Sequence, residues 1–247
     1  MGSRPPPEAT TEDALLGGRV RLRQPARGFR AGSDAVLLAA ACPARAGDAV
    51  LDLGCGVGAA AACLAARVPG LRIAGLERDG PAAALARINL PAAEIVEGDA
   101  LCPPPALRAR AFDHVICNPP YFAAGRGSPS PDAAREAALR EAGEGGLAAW
   151  TDAAIRRVRS GGSLTLIARA ERLPELLAAC AGRLGRLRAL PLAPRAGARA
   201  HRVLLGGRKG ARAPFALLPP VALHRPDGAP SPEARAVLWE AGRLSLD

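Results

Sequence analysis

The sequence predicts an α/β fold, a mostly parallel sheet with helices on both faces. Strand-like and helix-like segments alternate from residue 49 onward. The early strand segments are short apolar runs without polar alternation, as expected of strands buried on both sides. Residues able to do chemistry recur at the carboxyl ends of these strands, where such sheets bind ligands.

Residues 1–14 are polar and Pro-rich and predict a flexible tail with no signal peptide. LLGGRVRL (15–22) predicts a short hairpin, and Ser33 is placed to cap an apolar helix over 34–41. AVLDLG (49–54) reads as the first sheet strand and 59–68 as a helix. LRIAGLE (71–77) is the second strand. A helix over 81–89 follows, opened by a favourable first-turn proline. AEIVEGD (93–99) and FDHVIC (112–117) give strands three and four. A helix from about 147 to 159 is expected to end at Gly161-Gly162, before a fifth strand, SLTLIAR (163–169). A helix over 173–184 leads to RLRALPL (186–192) and HRVLLGG (201–207), two strands joined by a basic loop. The expected organisation is one domain over 15–247. It carries an N-terminal extension (15–47) and a C-terminal basic region (186–247).

The 247 residues are 49% hydrophobic but only 3% aromatic, enough for one large core. The formal charge of +10 comes almost entirely from arginine, Lys209 being the only lysine. That charge favours an anionic partner, though a generally basic surface in an Arg-rich sequence fits equally well. The six cysteines form no C-x-x-C pair and match no zinc spacing, which predicts reduced thiols, no metal and a cytoplasmic location. No apolar run is long enough to span a bilayer.

Two motifs carry the chemistry. Between the first strand and helix stands Asp52-Leu-Gly54-Cys-Gly56-Val-Gly58. Its glycines permit positive φ and close approach of a ligand, and free N–H groups at the helix start favour an anion. Glu77 ends the second strand, where a carboxylate can accept both hydroxyls of a ribose. This much also satisfies a dinucleotide fingerprint, so the loop alone leaves NAD and other adenosyl cofactors open. The second motif is Asn118-Pro119-Pro120-Tyr121, at the end of the fourth strand. Two prolines end the strand and stiffen the turn. They hold one amide, one imide carbonyl and one aromatic ring in fixed relation.

The combination resembles the class I S-adenosylmethionine (SAM)-dependent methyltransferases, whose sheet is Rossmann-like and mostly parallel with a C-terminal antiparallel strand. D-x-G-x-G-x-G resembles their first motif, Asp99 the acid near the cofactor adenine, and N-P-P-Y their amino-group methylation motif. The resemblance implies that Asp52, Gly54, Gly56, Gly58, Glu77 and Asp99 bind SAM. It implies that the Asn118 side-chain oxygen and Pro119 carbonyl accept the two N–H bonds of an amino group, while Tyr121 stacks on a planar substrate. A nicotinamide oxidoreductase leaves Asn118 to Tyr121 unexplained. A silent RNA-binding protein on the same scaffold leaves Asp52, Glu77 and Asn118 without purpose.

N-P-P-Y serves adenine N6, guanine N2 of rRNA and the glutamine amide of proteins. Gln24 to Leu38, Leu147-x-x-Trp150, Gly161-Gly162, Pro194-Arg195 and Arg202-Val-Leu-Leu resemble bacterial tRNA (valine type) adenine-N6 methyltransferases, covering nearly the whole chain after about residue 15. That family implies a tRNA anticodon-loop adenosine as substrate, and roles for Arg30 and Asp34 in closing the cofactor pocket. Glutamine-methylating relatives usually carry an N-terminal helical domain, and none precedes the catalytic segment here. Target selection is expected in the stretch around 126–132. Arg195, Arg199, Arg202, Arg208 and Lys209 are the candidate phosphate contacts, with a solvated basic face as the alternative.

Overall fold

The computed structural model describes residues 9–28, 30–120 and 146–246. A hairpin of β1 (Thr10–Leu15) and β2 (Val20–Pro25) precedes α1 (Ser33–Ala41). Then follow β3 (Ala49–Leu53), α2 (Ala59–Arg67), β4 (Arg72–Glu77), α3 (Gly80–Asn89), β5 (Glu94–Glu97), a single turn α4 (Pro105–Arg108) and β6 (Phe112–Cys117). After the undescribed 121–145 come α5 (Gly146–Arg157), β7 (Val158–Arg169), α6 (Leu173–Cys180), β8 (Leu184–Arg195) and β9 (Arg202–Lys209). Short strands β10 (Ala216–Leu217) and β11 (Val221–His224) pair in succession with the outer edge of β8, and α7 (Pro232–Glu240) is the last described helix.

The main sheet runs β10-β8-β9-β7-β6-β3-β4-β5. Strands β5, β4, β3, β6 and β7 are parallel, while β9 is antiparallel to both β7 and β8. Period-two alternation explains the buried, unalternating composition. Val50, Ile116, Ile167 and Leu204 face one core with α1 and α2. Leu51, Val115, Leu166 and Leu205 face the other with α5 and α6. Strand order reverses beside β3, which opens a crevice between the ends of β3 and β6.

Four boundaries differ from expectation, each for a local reason. Strand β1 begins at Thr10, inside the expected tail, because pairing Thr10 with Pro25 lengthens the hairpin. Ser33 is the first helical residue rather than a side-chain cap, and Gly32 occupies the cap position. Gly161-Gly162 does not end a helix but lies within β7, whose register with β6 shifts there. A Cβ on Gly162 would come within 2.6 Å of the Asp113 carbonyl, so the glycine permits close strand approach. Helix α6 stops at Cys180, four residues short, because β8 already begins at Leu184.

Candidate active site

The glycine loop leaves β3 and folds back on β4, with the Gly54 and Cys55 amides both donating to the Leu76 carbonyl at 2.8 and 3.0 Å. Gly54, Gly56 and Gly58 all have positive φ (73°, 55° and 84°). Their surroundings separate them. A Cβ on Gly54 would lie 2.8 Å from the Trp150 indole, and one on Gly58 would lie 2.7 Å from Leu90. A Cβ on Gly56 would meet no described residue within 4 Å. Packing against described neighbours therefore accounts for two of the glycines and not for the middle one.

Glu77 stands beside that middle glycine. Its carboxylate accepts from the Gly56 amide and from the Asp79 amide, each at 2.8 Å. Burial raises its pKa, and the backbone N–H groups of Asp79, Gly56 and Arg78 oppose the rise. A carboxylate has about four acceptor positions, so these three bonds leave about one. Asp99, half-buried beyond β5, accepts from the Leu101 amide at 2.8 Å.

Asp52 is placed differently from these acids. It is 2% exposed, and its carboxylate accepts from the Ala61 amide at 3.2 Å. Gly58, the cap residue of α2, has no side chain to offer, so Asp52 supplies the missing acceptor at the helix start. Desolvation pushes its pKa up to about 7, the Ala61 amide opposing and Glu77 adding to the rise. Asp52 thus organises the loop from beneath.

Leu53 pairs with Cys117, so Gly54 and Asn118 leave adjacent strands at one level. Asn118 is half-buried and hydrogen-bonded or otherwise engaged, and Pro119 is buried. Tyr121 lies outside the described residues, as does the 126–132 stretch.

Arg30 and Asp34 are held by the protein itself. Arg30 pairs with Asp13 and donates to Thr11 Oγ1 at 2.7 Å, tying the segment to the hairpin. Asp34 pairs with Arg202 at 2.9 Å. The five basic candidates do not form one face. Arg195, Arg199 and Arg202 lie at or beyond strand ends on the same edge as the glycine loop. Arg208 and Lys209 end β9 at the opposite edge, about 23 Å away along an eight-residue strand. There Lys209 donates to the Ile155 and Val158 carbonyls at 3.2 and 2.7 Å, a contact that joins α5 to β7.

Three further residues hold the site together, and the sequence assigned none of them a role, although Gln24 and Trp150 fall in the segments that carry the resemblance. Trp150, half-buried, closes the loop over Gly54; that it is one of two tryptophans in an aromatic-poor chain was the available signal. Asn89 accepts from the Arg23 amide at 2.8 Å and donates to the Arg23 and Val57 carbonyls at 2.9 and 2.8 Å, fastening the hairpin to the glycine loop. Buried Gln24 donates to Asp13 and accepts from the Ala31 amide, both at 2.7 Å. Neither amide has a spacing that would reveal its partners.

The profile of the methyltransferase small domain family matches residues 30–184. A tRNA1(Val) (adenine(37)-N6)-methyltransferase of Shewanella amazonensis is 39% identical over 114 residues, 44% of this chain and 48% of that protein. The protein of the same description from Tolumonas auensis is 31% identical over 157 residues, 61% of this chain and 63% of its own. The chain thus spans about half to under two thirds of these relatives. A crystal structure from Agrobacterium tumefaciens, described as a predicted O-methyltransferase, superposes with a TM-score of 0.71 at 29% identity, covering 86% of this chain and 98% of that one.

Proposed function

The chain belongs to the methyltransferase small domain family, and from that premise we propose that it methylates adenine N6 in a tRNA anticodon loop. The cofactor is SAM. The donor set fits it. Gly56 meets no described residue on its Cβ side, directly beside Glu77, whose carboxylate keeps acceptor capacity for a ribose hydroxyl. Asp99 offers a second half-buried carboxylate beyond the neighbouring strand. SAM bound there would supply a methyl group on a sulfonium that is already strongly electrophilic.

The chain's own residues then have a limited task. An adenine amino group is planar, with its lone pair delocalised into the ring. Accepting its two N–H bonds on the Asn118 side-chain oxygen and the Pro119 carbonyl aligns the nitrogen and frees the lone pair. The same two dipoles stabilise positive charge developing on nitrogen without reorganising. Tyr121 stacks on the base, a contact worth about 1–3 kcal/mol. No strong general base is required, because the amino proton becomes acidic only after the nitrogen has been methylated. Unstacking a loop adenosine is cheaper than opening a stem, which suits an anticodon loop. The free thiols and the lack of any described helix long and apolar enough to cross a membrane fit a cytoplasmic tRNA enzyme.

The single observation that carries the reading is the alignment of Gly54 with Asn118 at the β3–β6 crevice. That alignment supports reading the two motifs as parts of one site. Replacing Asn118 with Ala tests it. The expected result is a fall in kcat of about 10²–10³-fold with SAM affinity nearly unchanged. Full activity in Asn118→Ala overturns the mechanism.

A further inference from the structure

A cavity of about 490 Å³ lies among the described residues at the amino ends of the parallel strands, on the edge of the sheet opposite the glycine loop. Arg45, Arg159, Arg186, Arg188, Arg208 and Arg243 line it, against only two carboxylates, Asp48 and Asp113. Both carboxylates are already engaged. Asp113 accepts from the Ala49 amide at 2.8 Å and pairs with Arg159. Asp48 accepts from the Arg45 amide at 2.8 Å and bonds His114 Nε2 at 3.0 Å, while His114 Nδ1 meets Ser163 Oγ at 2.7 Å. Desolvation lowers the His114 pKa, so it adds no cation near neutral pH. Six guanidiniums against two carboxylates leave the recess positive, with Arg188 donating to the Leu187 and Pro214 carbonyls and Arg208 to the Gly161 carbonyl.

Backbone geometry at the recess is unusual in the same place. Arg186 has φ +50°, a left-handed conformation that a residue with a Cβ rarely adopts. It sits in a bulge of β8, between Gly185 and Arg188, where the register with β9 shifts. A second irregularity falls between Phe112 and His114 in β6, on the same cavity. Bulges re-aim side chains, and strain of this kind persists where the surroundings over-determine it. Here the bulge lets both Arg186 and Arg188 face the cavity.

We propose that this arginine-walled recess is a phosphate-binding site, separate from the methyl-transfer site and on the other edge of the sheet. Guanidinium forks match phosphate oxygens bidentately and cannot lose their charge. The volume suits several phosphates or a nucleotide-sized anion better than one carboxylate. The phosphates belong either to RNA running past this edge or to a soluble phosphorylated molecule, and the chemistry that binds them is the same.

Isothermal titration with inorganic tripolyphosphate, on the full chain at low ionic strength, tests the site. Wild type should bind saturably. Arg45→Glu, on the exposed turn before β3, should weaken binding tenfold or more. Arg186→Gly should lose the anion yet melt at a higher temperature than wild type without ligand, because glycine accepts φ +50° without strain. Arg225→Glu, exposed just after β11 on the other edge, should bind as wild type does, and all variants should keep S-adenosylhomocysteine binding. Absence of saturable binding overturns the proposal. So does equal weakening by Arg225→Glu and Arg45→Glu, which marks diffuse attraction, and so does wild-type affinity in both recess variants. A short RNA duplex that displaces tripolyphosphate assigns the phosphates to RNA; failure to displace it assigns them to a soluble molecule, and both results support the site.

Discussion

The three loop glycines make a prediction that separates packing from binding. All have positive φ, so alanine at any of them carries a left-handed penalty of roughly 1–2 kcal/mol. At Gly56 that is the whole expected cost, because its Cβ would meet no described residue within 4 Å. At Gly54 the new methyl would lie 2.8 Å from two atoms of the Trp150 ring, adding about 1–3 kcal/mol of overpacking. Gly58→Ala should fall between them, since the atom at 2.7 Å is the tip of the Leu90 side chain. Urea denaturation followed by circular dichroism should therefore rank Gly56→Ala as the mildest and Gly54→Ala as the most destabilised. Cofactor affinity should show a different pattern. The Gly56 methyl would project into the space beside Glu77, and S-adenosylhomocysteine affinity should drop about tenfold or more, ~1.4 kcal/mol per decade. Wild-type affinity in Gly56→Ala, or a stability loss equal to that of Gly54→Ala, would refute this account of the loop.

Other expectations follow from the same geometry. Asp52 titrates near 7 when folded and at 3.8 as a free side chain, so between about pH 4 and 7 the folded chain holds a proton the unfolded chain has released. Stability should fall as pH rises through that window, and Asp52→Asn should flatten the pH–stability curve there; an unchanged slope removes Asp52 as its cause. Trp150 borders the loop, whereas Trp239 is 44% exposed on α7. In a Trp239→Phe background, indole fluorescence should therefore change on adding S-adenosylhomocysteine, and a silent titration contradicts the placement of Trp150. Charge reversal at Arg199 should reduce the salt dependence of tRNA binding by about one phosphate contact. Lys209→Ala should instead lower stability by about 1–3 kcal/mol, as loss of charged hydrogen bonds to two carbonyls.

The alternating order of strands and helices was legible because periodicity and strand-end punctuation are local. The same holds for the glycine loop, Glu77, Asp99 and Asn118, since strand ends converge automatically in a parallel sheet. What could not be read depends on pairing. The two glycines at 161–162 look like a helix terminator in isolation, and only the Asp113 carbonyl beside them shows why they belong in a strand. Asp52 reads as a cofactor ligand by motif, yet its carboxylate is buried against α2 because the left-handed cap glycine cannot serve that helix. The C-terminal arginines read as one basic run, but a strand of eight residues carries its two ends to opposite edges of the sheet. Asn89 and Gln24 act through partners far along the chain, a relation that spacing does not encode.

Methyl transfer to adenine N6 is the central claim, and the product itself tests it most directly. The protein would be incubated with methyl-labelled SAM and unmodified bulk tRNA, and the RNA digested to nucleosides and separated. The label should be found in N6-methyladenosine, and Asn118→Ala should reduce it about 10²–10³-fold. Label in N2-methylguanosine, on a ribose hydroxyl, at a ring carbon or in protein would contradict the assignment.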